Sequence, residues 1–310
     1  MKYGKWLRIW YKNYVEPSSK SKTRDRYYEV IEKRLIPNFG DCEMAELTPV
    51  SMQKYVAELL RTGNGVTGKG LSPNTVNGII TVMQNSLKFA CLLGEIEEYE
   101  AGKIKRPKKT EKTVTCFTLQ EQKKIEKAVS DSSNPSAFGV ILCLYSGLRI
   151  GELLALTWND LDLKRGLMSV DKSCHDGKND GGEFCRIIED PKTRTSKRVI
   201  PLPKQIIPTL KNAKKTAKSK WVITAKNGRP ISVRAYQYAF TRLLKMANIE
   251  RKGFHALRHT FATRALECNM DIKTLSEILG HKNASVTLNR YAHSMMEHKA
   301  QMMNRIGRLL

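Results

Sequence analysis

Four side chains in the last fifth of the chain combine positive charge, proton-transfer groups and a hydroxyl that could attack. His255 and Arg258 are three residues apart, which places them on one face of a helix. His281 follows a glycine, and Tyr291 comes ten residues later. A guanidinium can hold an anion, an imidazole can move a proton, and a phenol can act as a nucleophile. Such a set suits phosphoryl chemistry on a charged polymer.

A further arginine, Arg149, occurs at a glycine break inside an apolar stretch, Y-S-G-L-R-I-G-E-L-L-A-L at 145–156. A charge without a function would be costly in such surroundings. A phosphodiester under attack becomes pentacoordinate and gains negative charge on its non-bridging oxygens. Two guanidiniums can hold those oxygens through paired donors, and Arg149 and Arg258 are the candidates.

The composition points to the same kind of partner. The chain has 310 residues, which suggests two domains, and 54 Lys and Arg against 30 Asp and Glu give a net charge of +24. This excess indicates nucleic acid, although a basic surface can also be simply solvated. The seven cysteines form no C-x-x-C pair, so no zinc spacing or disulfide framework is visible. Together with the absence of a signal peptide, this predicts a cytoplasmic protein, and no apolar run is long enough to span a membrane.

The N-terminal part, residues 1–102, is predicted to form a small bundle of about four helices. Apolar residues recur at helical spacing in each segment, and Thr-Pro and Ser-Pro pairs mark two of the helix starts. The second segment is expected to stop before Pro37. The predicted helices contain Trp6 to Tyr14, then cover 23–35, 48–61 and 73–93.

A basic linker, 103–113, separates this bundle from a second domain, 114–310. A short charge run is usually a solvated tether, but in a nucleic-acid protein it can lie along phosphates. Thr118 opens a helix with a capping-box pattern, and an apolar helix at 136–146 breaks at Gly147 and resumes at 148–156. Three strand-like runs follow at 167–173, 184–189 and 198–202, joined by polar segments at 174–183 and 190–197. Helices return from about 232, so the predicted fold class is mainly α with a small antiparallel sheet (α+β).

The motif at 145–156, followed by H-A-L-R-H (255–259), L-G-H (279–281) and R-Y-A-H (290–293), resembles the tyrosine recombinases, in particular the phage- and transposon-type integrases. The bundle is similar to their core-binding domain, including L-S-P-N-T-V-N at 71–77. The resemblance implies a catalytic domain over 114–310. Many integrases of this type also carry an arm-binding domain ahead of the bundle, whereas this sequence begins directly with the core-binding helix. Two alternatives stay open: a simpler recombinase, or a longer protein of which this sequence is a part.

The resemblance also assigns roles to the candidate residues. Tyr291 would be the nucleophile, and its ordinary pKa of about 10 means that a base and nearby cations must help it lose its proton. His255 would be that base, and His281 would donate a hydrogen bond to a non-bridging oxygen. The alternatives are a tyrosine that only packs and a histidine that only complements a helix C-terminus.

The leaving 5′-oxygen needs an acid, and the resemblance places it at Lys192 in D-P-K-T-R-T-S-K-R, 190–198. Lys197 is the competing candidate, and a turn lysine can also be only a solvated charge. Glu152 would orient a cation of the site. His259, one residue past Arg258, is expected to point away from the active face and to be structural, and His293 is a supporting candidate.

The implied activity is site-specific DNA recombination through a 3′-phosphotyrosyl link and a Holliday junction, integrating or excising a mobile element. The link stores the bond energy, so neither ATP nor a metal or other cofactor is needed, and no P-loop or carboxylate cluster is visible. A type I topoisomerase activity and a non-catalytic DNA-binding regulator are the alternatives.

The resemblance further implies how the protein assembles. The substrate would be double-stranded DNA with inverted half-sites, bound by a homotetramer on two sites that forms from monomers, with room for accessory excision or DNA-bending factors. The Met-rich tail helix, 295–310, would dock on a neighbouring subunit, the alternative being packing on its own domain.

Overall fold

The computed structural model describes residues 1–98, 100–108, 114–178, 184–189, 197–281, 283–291, 303–304 and 306–307. The chain divides into two compact units, Met1–Lys112 and Thr113–Leu310. This division falls inside the predicted linker. Helices dominate, and the strands form two small antiparallel sheets, so the predicted α+β fold class is confirmed.

The N-terminal unit contains the predicted bundle, whose first two helices each include one wide π turn. The first runs through α1 (Tyr3–Trp10), a π turn (Tyr11–Val15) and α2 (Glu16–Ser18). The second runs through α3 (Ser21–Val30), a π turn (Ile31–Leu35) and α4 (Ile36–Phe39). A 3₁₀ turn (Met44–Glu46) leads to α5 (Pro49–Thr62) and α6 (Pro73–Leu92), and a second 3₁₀ turn spans Glu100–Lys103.

The prediction that the second helix stops before Pro37 was wrong, because the π turn carries the helix through this proline. Proline lacks an N–H, and its ring collides with the carbonyl four residues earlier. Widening the turn changes the bonding so that the Ile36 N–H donates to the Ile31 carbonyl, five residues back. The helix then continues to Phe39. The same solution precedes Pro17, where the Glu16 N–H donates to the Tyr11 carbonyl.

The basic segment that follows the bundle is attached to the N-terminal unit rather than a loose tether. The side chain of Gln53 pairs with the backbone of Lys105 through both its amide atoms, at 2.8 and 3.5 Å. Asn77 donates to the carbonyl of Pro107 at 2.9 Å, and Arg106 donates to the Thr81 hydroxyl at 3.2 Å. The described part of the predicted linker therefore follows the surfaces of α5 and α6.

The C-terminal unit surrounds one large apolar core with helices. The Thr118 hydroxyl and the Glu121 carboxylate form the predicted capping box at the start of its first helix. The helices are α7 (Leu119–Ser130), α8 (Phe138–Ser146), α9 (Ile150–Ala155), α10 (Ile207–Lys215), α11 (Val233–Met246), α12 (His255–Glu267), α13 (Ile272–Leu279) and α14 (Ala284–Tyr291).

Two antiparallel sheets interrupt these helices between α9 and α10. The first has the order β1-β2-β5, with strands Leu161–Asp162, Leu167–Val170 and Arg198–Pro201. The second is a hairpin of β3 (Ser173–Lys178) and β4 (Phe184–Glu189). The prediction of a polar connection from residue 174 was therefore wrong in its first part, since residues up to Lys178 pair with β4 despite their polarity.

In the described part of the chain, no helix has both the length and the apolar character needed to cross a bilayer.

Candidate active site

The turn between α8 and α9 places Arg149 at the start of a helix. Gly147 ends α8 in the left-handed conformation (φ +67°), and a Cβ atom there would lie 2.6 Å from Phe261 and 2.8 Å from Leu279. Arg149 is extended and caps α9, which begins at Ile150. The helix was predicted to resume at Leu148. It starts two residues later because Arg149 has an extended backbone and serves as the N-cap.

Glu152 closes this helix start by contacting Arg149 twice. Its carboxylate accepts the backbone N–H of Arg149 at 2.9 Å and the Nη1 atom of the guanidinium at 2.8 Å. One of the N–H groups that every helix start leaves without an intrahelical partner is thereby satisfied. The capping geometry thereby places Glu152 against a cation of the candidate site.

The C-terminus of α13 offers the acceptors for the arginines of the site. Gly280 is left-handed (φ +64°), its N–H donates to the Glu277 carbonyl, and the His281 N–H donates to the Ser276 carbonyl, which is a Schellman motif. The last carbonyls of a helix have no intrahelical partner and carry the negative end of the helix dipole. This end therefore attracts cations.

Arg149 and Arg258 meet at one of these carbonyl oxygens. Arg258 donates to the Leu279 carbonyl at 2.6 Å and to the Gly147 carbonyl at 2.8 Å, so it joins the ends of α13 and α8. Arg149 donates to the carbonyls of Leu279 and Gly280, both at 3.3 Å. The structure thus brings together the two arginines that the sequence singled out. Arg258 is buried, whereas the side chain of Arg149 is 37% exposed.

A further arginine, Arg198, belongs to the same cluster and was missed in the sequence. Its Nη atoms donate to both carboxylate oxygens of Glu152, at 3.1 and 2.9 Å, and its Nε atom donates to the Ile278 carbonyl at 2.6 Å. A signal for it existed. Arg198 and the buried Ile200 alternate with the exposed Lys197 and Val199, so strand periodicity puts this arginine on the inner face of β5.

Glu152 is the negative partner of these cations. Burial alone would raise the pKa of its carboxyl group, but the hydrogen bonds and charge of Arg198, together with the charge and backbone N–H of Arg149, lower that pKa to about 2. Glu152 is therefore ionised at neutral pH. Glu152 contacts the guanidiniums of Arg149 and Arg198. Arg258 shares the Leu279 carbonyl with Arg149. These four side chains together therefore carry an excess of positive charge.

His281 lies directly after this helix end and contacts the next helix. Its Nδ1 atom is 2.7 Å from the hydroxyl of Thr287, a buried residue of α14. That helix ends at Tyr291, four residues later, whose backbone is described and whose side chain is not. The His281–Thr287 contact therefore fixes the turn to the helix that carries the tyrosine. His281 also lines a cleft of about 340 Å³ with Lys197, Arg198 and residues of α13 and α14.

His255 begins α12 on the exposed side of that helix, one turn before Arg258. Its ring contacts the ring of His259 edge-on, with centroids 4.5 Å apart. His259 was expected to point away from the active face. This was wrong, because its ring contacts His255, which belongs to that face. The prediction compared His259 only with the adjacent Arg258. His255 and His259 are four residues apart, and residues four apart on a helix are neighbours. Whether His259 is structural stays a prediction.

The remaining predictions fall outside the described residues. Lys192 lies in 190–196, His293 lies in 292–302, and the tail is described only at 303–304 and 306–307. The competing Lys197 is described, is exposed, and lines the cleft beside His281.

Comparison with known proteins gives matches along most of the chain. The profile of the phage integrase family matches residues 116–298, and the phage integrase N-terminal SAM-like domain matches residues 2–60. A XerC-like tyrosine recombinase of Caldanaerobacter subterraneus is 27% identical over 285 residues, which cover 84% of this chain and 71% of the relative. The tyrosine recombinase XerA of Thermococcus kodakarensis is 26% identical, and the match covers 94% of this chain and 92% of the relative. The transposase of transposon Tn916 from Enterococcus faecalis is 30% identical, covering 61% of this chain and 50% of its own.

Solved structures share the fold over nearly the whole chain. The Tn1549 transposon integrase in complex with transposon right end DNA superposes with a TM-score of 0.81 at 22% identity, covering 99% of this chain and 100% of that one. A lambda integrase dimer bound to a COC′ core site gives a TM-score of 0.69 at 21% identity, covering 92% and 97%. Because the family profile spans more than half of the chain and lies over the arginine cluster, the chain belongs to the phage integrase family of tyrosine recombinases.

Proposed function

We propose that this protein is a site-specific DNA recombinase that cleaves and rejoins duplex DNA through a 3′-phosphotyrosyl intermediate. The observation that carries the proposal is the meeting of Arg149 and Arg258 at the carbonyl of Leu279. Two guanidiniums fixed at one point can hold the two non-bridging oxygens of a scissile phosphate. His281 follows within two residues, and α14 leads from it to Tyr291.

In the proposed cleavage step, the hydroxyl oxygen of Tyr291 attacks the phosphorus, and the bond to the 5′-oxygen breaks. His255 accepts the tyrosine proton, and Lys192 gives a proton to the departing 5′-oxygen. Arg149, Arg258 and His281 stabilise the added negative charge. The products are a 3′-phosphotyrosyl link and a free 5′-hydroxyl. Rejoining is the reverse reaction with a different 5′-hydroxyl, so the reaction needs no external energy source.

The charge of the molecule and its relatives support DNA as the substrate. The net charge is +24, and the Tn1549 and lambda integrases have been solved in complexes with DNA, including a lambda integrase tetramer on a Holliday junction. For this chain we propose a homotetramer on two sites with inverted half-sites. The N-terminal unit would be the core-binding domain, and the protein would act in the cytoplasm.

The tail is proposed to couple the subunits. It is apolar and Met-rich from Met295 to Leu310, and it starts four residues after the proposed nucleophile. If it docks on a neighbour, deletion of 297–310 leaves binding to a single site intact, weakens tetramers on two-site DNA and stops strand exchange. Analytical ultracentrifugation on two-site DNA checks the assembly. Normal tetramers and a normal recombination rate would show that the tail packs only on its own domain.

The proposed reaction is tested with a DNA substrate whose cleaved strand loses a short fragment and therefore cannot be rejoined. The wild-type protein is expected to accumulate as a covalent DNA complex on a denaturing gel. Tyr291→Phe removes only the hydroxyl and is expected to bind DNA normally without forming the complex. A complex that persists in this variant would exclude Tyr291 as the nucleophile. Relaxation of supercoiled DNA that carries one site or none would favour a topoisomerase instead.

A further inference from the structure

Arg198 has a largely buried side chain, which several contacts fix in place. Its side chain is 7% exposed, both carboxylate oxygens of Glu152 accept from it, and its Nε atom donates to the backbone of Ile278. A paired guanidinium–carboxylate contact defines the orientation of both groups, which a single-point ammonium contact does not. Arg198 therefore fixes the carboxylate that in turn contacts Arg149.

The same side chain supports the turn before His281. A Cβ atom on Gly280 would lie 2.9 Å from the Nη1 atom of Arg198 and 3.1 Å from its Cζ atom, so the guanidinium packs directly on this glycine. Arg198 thus contacts both parts of the candidate site, Glu152 on α9 and the end of α13. It is also the first residue of β5, the strand that follows the segment containing Lys192.

We propose that Arg198 is a positioning residue of the recombination reaction, resting on the function proposed above. Through Glu152 it holds the Arg149 guanidinium at the place where the scissile phosphate binds, and through Gly280 it holds the turn that presents His281. Because it acts through these groups, its loss is expected to impair the chemical step and to leave DNA affinity close to that of the wild type. A misplaced catalytic group costs on the order of 100-fold in rate.

The test compares Arg198→Met with Arg264→Met in the full-length protein, using single-turnover formation of the covalent DNA complex. Arg264 is a matched control, since it is also a part-buried arginine that bonds a carbonyl, that of Phe117, and a glutamate, Glu267, away from the cluster. Both variants are assayed below their melting temperatures. We expect a loss of about 100-fold for Arg198→Met and a rate near wild type for Arg264→Met.

A second substrate separates positioning from a general loss of structure. Replacing one non-bridging oxygen of the scissile phosphate with a methyl group removes the charge that Arg149 would neutralise. On this substrate the rate of Arg198→Met is expected to approach that of the wild type. An unchanged defect would overturn the proposal, because a disordered site is not repaired by a neutral phosphate.

A double-mutant comparison separates action through Arg149 from direct contact with DNA. If Arg198 acts through Arg149 as well as through the His281 turn, adding Arg198→Met to Arg149→Ala is expected to slow cleavage by much less than Arg198→Met does alone. Multiplicative losses would show an independent contact and overturn the proposal. A wild-type protein that forms no covalent complex at all would instead refute the proposed function, so the two failures are distinguishable.

Discussion

The buried carboxylate of Glu152 makes the stability of the C-terminal unit depend on pH in a predictable way. Its pKa is lowered to about 2 in the folded protein, against 4.5 for an unperturbed glutamate. A group whose pKa is lower in the folded state contributes stability above its unfolded pKa, and that contribution disappears as the pH falls towards the folded pKa. The difference between the two pKa values corresponds to about 3 kcal/mol. About 2 kcal/mol of this should already be lost at pH 3.

Substitution of this residue by glutamine isolates the contribution. Glu152→Gln keeps the shape of the side chain but cannot titrate, and it leaves the buried guanidinium of Arg198 without its counter-charge. At pH 7 the variant is expected to be less stable by about 3 kcal/mol or more, the range for breaking one partner of a buried ion pair. Between pH 7 and pH 3 the wild type is expected to lose about 2 kcal/mol more than the variant, so the two stabilities converge.

Urea unfolding at several pH values, followed by tryptophan fluorescence, measures both effects. Trp158 is buried in the C-terminal unit and reports on its unfolding, whereas the signal of Trp6 and Trp10, buried in the N-terminal unit, is common to both proteins. The other carboxyl groups are common to both proteins, so the difference between the two curves reports Glu152. Parallel curves from pH 7 to pH 3 would refute the reasoning, since they would mean that this carboxylate titrates in the folded protein as it does in the unfolded chain.

Three further predictions concern the reaction and DNA binding. Arg149→Ala and Arg258→Ala are each expected to slow covalent-complex formation by roughly 100-fold or more, and to weaken DNA binding, measured by gel shift, by less. Equal losses in rate and in binding would make these arginines ordinary phosphate contacts. A substrate with sulfur in place of the leaving 5′-oxygen needs little protonation, so Lys192→Ala is expected to cleave it nearly as fast as the wild type. If this substrate restores cleavage by Lys197→Ala and not by Lys192→Ala, the general acid is Lys197. The logarithm of the DNA association constant is expected to fall steeply with the logarithm of salt concentration, by about 0.9 for each neutralised phosphate, and a flat response would contradict binding by two basic units.

Local signals in the sequence predicted the helices well. The Thr48 and Ser72 hydroxyls accept the N–H groups of Ser51 and Thr75, as their positions before proline suggested. Helix caps and apolar periodicity depend on neighbours within a few residues, so the sequence displays them directly. The passage through Pro37 was missed because the adjustment is made in the backbone of the preceding turn, where no residue type announces it.

The candidate site was only partly visible in the sequence. Arg149 and Arg258 were identified, but their common acceptor at Leu279 was not, because a backbone carbonyl has no sequence signature. Arg198 was overlooked for a related reason, since its partner Glu152 lies 46 residues away and only the fold brings them together. The strand beginning at Ser173 was hidden because the polar pattern of the hairpin resembles a loop.

The use of backbone carbonyls as acceptors determines which genetic changes the site can tolerate. Each residue type supplies the same carbonyl oxygen, so substitutions at Ile278 leave the acceptor of Arg198 in place. A change of length is different, because one inserted residue in α13 would rotate every later carbonyl by about 100° around the helix axis. In a library of variants, Ile278 is therefore expected to accept other side chains, whereas Gly280 is expected to stay glycine because a Cβ atom there would meet Arg198. Insertions and deletions in α13 are expected to be rejected, so selection would preserve the length of this helix.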